Sequence, residues 1–197
     1  NLKFAKKSKE AGVDAIVCEG FEAGGHNGKE EITSMCLIPN VSENINIPVI
    51  AAGGIGSGKS MLAAFSLGAE GVQIGSRFVA SQECSAHTNF KDAVVESKEG
   101  DTMLSLKKLT AVRLLNNNFY QKVLEAENRG DSIEELRELL GRGRSKKGMF
   151  EGDLKEGELE IGQVSSMINE IKPVKAIIDE IISDFEIEKE RISKIEF

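Results

Sequence analysis

The chain has 197 residues, with 25 Lys and Arg against 32 Asp and Glu, a formal net charge of −7 and a pI near 5.1. That balance argues against a general nucleic-acid binder, which needs a basic surface, and no apolar run approaches the roughly 20 residues of a membrane span. Cys18, Cys36 and Cys84 have neither zinc spacing nor an even count, so no disulfide framework or structural metal is expected, and the composition fits a cytoplasmic enzyme.

The opening Asn1-Leu2-Lys3-Phe4-Ala5-Lys6-Lys7 lacks an initiator Met and starts as though inside a helix, which predicts the carboxyl part of a longer protein. Val13 to Cys18 reads as a buried strand, with Cys18 as a small hydrophobe. The glycine-rich Glu19-Gly20-Phe21-Glu22-Ala23-Gly24-Gly25-His26-Asn27-Gly28 then places one imidazole in the loop at the strand's carboxyl end, where α/β folds put their chemistry. Glycines around His26 let the backbone bend sharply and a flat ligand approach. Glu30 to Asn44 carries a helix, and Ile47-Pro48-Val49-Ile50-Ala51-Ala52-Gly53-Gly54-Ile55 is a β-branched run ending in glycines. Ser60 to Leu67 has helical composition, and Gly71-Val72-Gln73-Ile74-Gly75-Ser76-Arg77-Phe78 repeats the strand-then-glycine theme. Strand, helix and strand at this spacing make a right-handed βαβ unit with parallel strands, so the fold class is α/β.

Parallel strands that both end in glycines form a phosphate cradle, because backbone N–H groups and a following helix start attract a dianion. Gly53, Gly54, Gly75 and Ser76 are the expected holders, with His26 facing the reactive part of the same ligand. A rival motif overlaps them. Gly53-Gly54-Ile55-Gly56-Ser57-Gly58-Lys59-Ser60 fits the P-loop pattern, in which Lys59 reaches phosphates and Ser60 binds Mg²⁺. That reading needs an acidic residue ending a neighbouring strand and leaves His26 and the GSRF segment unexplained; otherwise Lys59 and Ser60 open a solvent-facing helix.

After Phe90 the pattern turns helical. Leu104 to Ala126 approximates a helical stripe, and Ser132-Ile133-Glu134-Glu135 opens another helix as a capping box. Arg137, Arg142, Arg144, Lys146 and Lys147 form a basic cluster read as a solvated face. His87 is expected to pack or cap, and Arg77 to support the phosphate or pair with a carboxylate. From Pro173 onward an amphipathic helix carries Ile177, Ile178, Ile181, Ile182 and Phe185, and would seal the barrel or form a contact in a homodimer.

The segments EGFEAGGHNG, IPVIAAGGI and GVQIGSRF, followed by Ser85-Ala86-His87-Thr88-Asn89-Phe90-Lys91, together resemble the nitronate monooxygenase (2-nitropropane dioxygenase) family. That family includes flavin-dependent enoyl-acyl-carrier-protein reductases and NADH:quinone reductases. Glu151-Gly152-Asp153 and Gly162-Gln163 extend the likeness over nearly the whole chain. The resemblance implies a TIM-barrel flavoprotein holding FMN without a covalent link. His26 would be the active-site histidine. Gly24 and Gly25 would approach the isoalloxazine, with Glu19 where some relatives have Gln. Gly53, Gly54, Gln73, Ile74, Gly75 and Ser76 would grip the FMN phosphate.

A complete (β/α)8 barrel takes about 250 residues, so residues 1–100 are expected to be its carboxyl-terminal βα units, with the first strands missing. Residues 101–170 would form a helical cap subdomain and residues 171–197 a helix packed on the barrel. This stretch alone would expose a parallel sheet edge, which invites aggregation, and would hold FMN poorly; stoichiometric yellow flavin on it would overturn that expectation. The implied reaction is oxidation of an alkyl nitronate with O2 to a carbonyl compound and nitrite. The alternatives are enoyl thioester or quinone reduction with NAD(P)H as co-substrate.

Overall fold

The computed structural model describes residues 1–196. Helix α1 (Leu2–Glu10) starts at Asn1, whose side-chain oxygen accepts from the Phe4 amide. Strand β1 (Ile16–Glu19) follows, and after the glycine-rich turn comes a two-residue strand, β2 (Gly25–His26). Helix α2 (Ser34–Ser42), β3 (Val49–Ala52), α3 (Gly58–Ser66) and β4 (Gly71–Gln73) complete the α/β part. The three longer strands form a parallel sheet in the order β1-β3-β4, with Ile16 opposite Val49 and Ile50 opposite Gly71.

Alternation decides which side of this sheet is dry. Ile16 and Cys18 join Val49, Ala51, Leu37, Ile38, Val41 and Ala64 in one apolar core, whereas Val17 on the opposite face is 51% exposed. Cys18 is thus the small buried hydrophobe expected, and burial raises its thiol pKa.

The start of α3 faces solvent only in part: the Lys59 side chain is 65% exposed, as the sequence suggested, but Gly58 is buried. Helix α9 (Val174–Ser193) lies across it so closely that a Cβ on Gly58 would stand 2.1 Å from the Phe185 nitrogen. The Lys59 amide donates to Asp184 Oδ2 (2.9 Å), the Lys59 ammonium pairs with Glu188 at 3.4 Å, and Phe65 meets Phe185 edge-on at 5.7 Å. Ser57 and Ser60 cap one another reciprocally. Ser60 and the space above Gly58 are therefore committed to structure, which removes the P-loop reading. On α9 itself Ile177 and Ile181 are buried, but Ile178 and Ile182 are about half exposed, so the expected single apolar face is split.

The helix expected over Leu104 to Ala126 is a correction. Thr102–Ser105 is strand β5 and Val112–Leu115 is strand β6, paired antiparallel, and β2 adds to the other edge of β6. All four residues of β6 are buried, and a short run buried on both faces has no period that separates strand from helix. Leu106 turns the chain with φ +57°. Helix α6 (Asn118–Arg129) begins only after Asn117, whose side chain accepts from the Tyr120 amide. His26 lies in a strand rather than a loop for the same reason: β6 is there to pair with it.

Between β4 and this second sheet lie α4 (Ser76–Val79) and α5 (Thr88–Glu96). Helix α7 (Ile133–Leu140) starts with the capping box of Ser132 and Glu135, and α8 (Arg144–Met149) follows. A 3-10 turn at Gln163–Met167 leads towards α9. Among the described residues no helix is long and apolar enough to cross a membrane.

Candidate functional site

The carboxyl ends of β1, β3 and β4 open into a cavity of about 220 Å³ lined by Glu19, Gly53, Gly54, Gln73, Gly75 and Ser76. Gly53 and Gly54 have φ of +81° and +73°, a region that disfavours any side chain. A Cβ on Gly53 would also stand 2.7 Å from the Gly20 carbonyl oxygen. Gly75 is different: nothing lies within 4 Å of where its Cβ would be, so its missing side chain leaves open space in the cavity. The amides of Gly53, Gly54, Gly75 and Ser76 donate to no other protein group among the described residues. Four free donors at two adjacent strand tips suit an anion.

Gly24, Gly25 and the segment Glu160 to Gly162 form the opposite wall. The two glycines work by close approach. A Cβ on Gly24 would be 2.3 Å from the Ile161 carbonyl carbon, and one on Gly25 would be 2.6 Å from Glu160 Oε2. The Gly162 amide donates to Ser76 Oγ (3.0 Å) and the Gln163 amide to the Glu22 carbonyl (2.9 Å), which clasps this segment onto the strand tips. Glu22 in turn accepts from the Ser34 amide and hydroxyl at 3.1 Å, tying the turn to the start of α2. Burial at the cavity wall pushes the Glu19 carboxyl above its ordinary range.

Next to this cavity the second sheet builds another, of about 270 Å³. His26 lines it, together with Val112, Leu140, Arg144, Ser145 and Glu158. Register explains the grouping. His26 is opposite Val112 and Glu160 is bridged to Leu114, and directly opposed residues of antiparallel strands share a face. Glu158 is 6% exposed. Burial is the main influence raising its carboxyl pKa, and the Glu160 carboxylate adds to it; the Ser145 hydroxyl, the His26 imidazole and the Arg144 guanidinium act the other way. The Ser145 hydroxyl is 2.9 Å from Glu158 Oε2 and 2.5 Å from Glu160 Oε1, so it joins the two cavities.

Of the residues singled out from sequence, Glu19, Gly24, Gly25, Gly53, Gly54, Gln73, Gly75 and Ser76 line one cavity and His26 lines its neighbour. Ile74 packs into the apolar core under the sheet instead. Arg77 is turned away, buried and donating to the carbonyls of Ala80 and Glu170. His87 caps α5, its Nδ1 accepting from the Asn89 amide at 3.1 Å.

The basic cluster divides. Arg137 and Arg142 are solvated, Lys146 and Lys147 pair with Glu151 and Asp153, and Arg144 lies over the Phe119 ring at 4.4 Å. Sequence reasoning missed Ser145, Glu158 and Glu160. Gly162 entered only through the likeness. Glu160 reaches the site through its bridge to β6, a strand that had been read as helix, and Ser145 comes from α8.

The family model described as nitronate monooxygenase matches residues 1–184. A probable nitronate monooxygenase of Staphylococcus aureus is 40% identical over 130 residues, covering 61% of this chain and 36% of that protein. Among solved structures, FabK from Thermotoga maritima superposes with a TM-score of 0.91 at 42% identity, over 97% of this chain and 60% of that one. Nitroalkane oxidase from Streptomyces ansochromogenes gives 0.81 at 25% identity, over 98% of this chain and 57% of that one. The chain thus spans about a third of the length of the curated relative and under two thirds of the solved ones.

Proposed function

Because the chain belongs to the nitronate monooxygenase family, we propose that it supplies the phosphate cradle and the proton-handling imidazole of an FMN-dependent oxidoreductase acting on alkyl nitronates with O2. The three parallel strands would be part of a (β/α)8 barrel, completed by segments of the kind the longer relatives carry. The observation that carries this reading is the meeting of the amides of Gly53, Gly54, Gly75 and Ser76 in one cavity, one residue away from His26 through Gly25. The donor set fits a flavin mononucleotide. Its neutral amides suit a phosphate dianion, and Gly24 and Gly25 line the same cavity without side chains of their own.

When bound, FMN supplies electron acceptance that no side chain of this chain provides. Gly75 keeps the phosphate end open, and Gly53 and Gly54 hold their amides in a conformation other residues resist. His26 presents an imidazole able to hydrogen-bond an anionic nitronate or to move a proton. Glu19 brings a carboxyl to the strand-tip cavity, and its raised pKa makes anion binding there more favourable as the pH falls.

A second reading, reduction of an enoyl thioester with NAD(P)H, is favoured by the higher identity and TM-score with FabK than with nitroalkane oxidase. In it His26 would donate a proton to the reduced double bond. One experiment separates the two. The flavin-loaded protein is mixed anaerobically with a nitronate and, separately, with NADH, and flavin absorbance is followed. Bleaching by the nitronate alone supports the first reading; rapid bleaching by NADH replaces it with the second; failure of the full-length protein, with its barrel complete, to hold any flavin sinks both.

A further inference from the structure

Between the two cavities one hydroxyl meets two carboxyl groups. The Ser145 hydroxyl sits within hydrogen-bond distance of two carboxyl groups, 2.9 Å from Glu158 and 2.5 Å from Glu160. A hydroxyl has one proton to donate, and an ionised carboxylate only accepts. Two carboxylates on one hydroxyl are therefore one proton short. Ser145 can donate to one of them, and the second contact is a hydrogen bond only if that carboxyl carries a proton of its own and donates to the Ser145 oxygen.

We propose that Glu158, Ser145 and Glu160 form a carboxyl pair that keeps one shared proton at neutral pH, and that the single negative charge of this pair sets the charge of the His26 imidazole, which lines one cavity with Ser145 and Glu158. The inference rests on the reading of His26 as the proton-handling group. Its members come from outside the strand-tip region: Ser145 from α8, and Glu158 and Glu160 from the segment bridged to β6.

Two further observations point the same way. Glu158 is buried, and both that burial and the charge of Glu160 favour its neutral form. Like charges that share a site also do not ionise together, so the two carboxyls titrate as a pair. The remaining charged neighbours do not supply the missing proton. Arg144 lines the same cavity and its charge favours the ionised form of Glu158, but its guanidinium donates to the carbonyls of Leu139, Leu140 and Glu156 and not to either carboxyl. Glu19 and Glu22, across the first cavity, are themselves acids.

Retaining the proton matters for function. A second full negative charge would favour the imidazolium over the neutral imidazole, and the shared proton removes that bias.

Two measurements on the protein without cofactor test this. Isotope-edited infrared spectroscopy of the unaltered chain at pH 7 should show the C=O stretch of a neutral carboxylic acid, and Glu158→Gln should abolish it. NMR titration of His26 should then have nearly the same midpoint in Glu158→Gln and in Glu160→Gln, since each variant still keeps one negative charge. The double variant should move the midpoint down, because the last negative charge is gone. If the unaltered chain has no neutral carboxyl band at pH 7, or if either single variant lowers the midpoint as a lost full charge would, the shared proton is refuted. Neither readout uses flavin, so failure here is distinct from failure to bind flavin, which would refute the proposed function instead.

Discussion

The strand tips and the hairpin-and-helix region meet at His26, but they were shaped by different kinds of information. At the tips, local chemistry suffices: positive-φ glycines end β3, and Ser57 and Ser60 cap the helix that follows. From residue 102 to residue 160 the structure depends on distant partners. Arg113 of β6 donates to the Phe21 carbonyl at 2.9 Å and stacks on the Phe21 ring, and Gly24 exists to admit the backbone of Ile161. The strand tips supply a place for an anion, and the second region supplies the surroundings of the imidazole. Under the proposed function, the chemistry could change in one region while the cofactor grip is kept in the other.

The sharpest way to break that division is His26→Ala. If the imidazole belongs to chemistry and not to the cradle, turnover should fall by about 10²–10⁴ while the flavin content of the protein stays near that of the parent. Parallel loss of flavin would show that the two regions are not separable.

Next in size is a pair of glycine substitutions. Gly24→Ala places a methyl group 2.3 Å from the Ile161 backbone and 2.5 Å from the Gly162 nitrogen, where neither side is a flexible side chain. It should cost about 3 kcal/mol or more, read as a fall in Tm of about 6–12 °C. Gly75→Ala meets nothing within 4 Å, so it should leave Tm in place and weaken flavin binding instead. A calorimetric scan and a flavin titration of both variants check the contrast.

What was legible in the sequence follows the same line. The βαβ order, the glycine tips and the caps at Ser132 and His87 are local signals, and each was found where expected. Val112-Arg113-Leu114-Leu115 carried no local signal of its state, because a run buried on both faces satisfies a strand and a helix equally. The overlooked marker was Asn116-Asn117-Asn118, a run of cap-forming residues that stops one element and starts another. Misreading that stretch hid β6, and with β6 the reason that Ser145, Glu158 and Glu160 lie near His26.

A smaller effect is expected from cutting the tie between the regions. Arg113 is 2% exposed and donates to Phe21 and Thr102, so Arg113→Met fills the volume but leaves buried carbonyls without a donor. The cost should be about 2 kcal/mol in denaturant unfolding. Arg113→Lys should recover little, since an ammonium cannot reach both carbonyls while lying flat on the Phe21 ring.

The smallest effect has a definite sign with pH. Burial raises the folded-state pKa of the Glu158 carboxyl above its ordinary value of 4.5, so the folded chain holds this proton more tightly than the unfolded chain does. Stability therefore falls as pH rises above about 4.5, and goes on falling until the folded carboxyl itself ionises. Glu158→Gln stays neutral throughout and removes that slope. The variant should be no more stable than the parent at pH 4 and should gain on it by up to about 1 kcal/mol as the pH rises, measured as Tm across the range. A gain at acid pH that disappears on the alkaline side would mean that Glu158 is held as the ionised partner of His26, and the imidazole would then owe its charge to an ion pair instead of a shared proton.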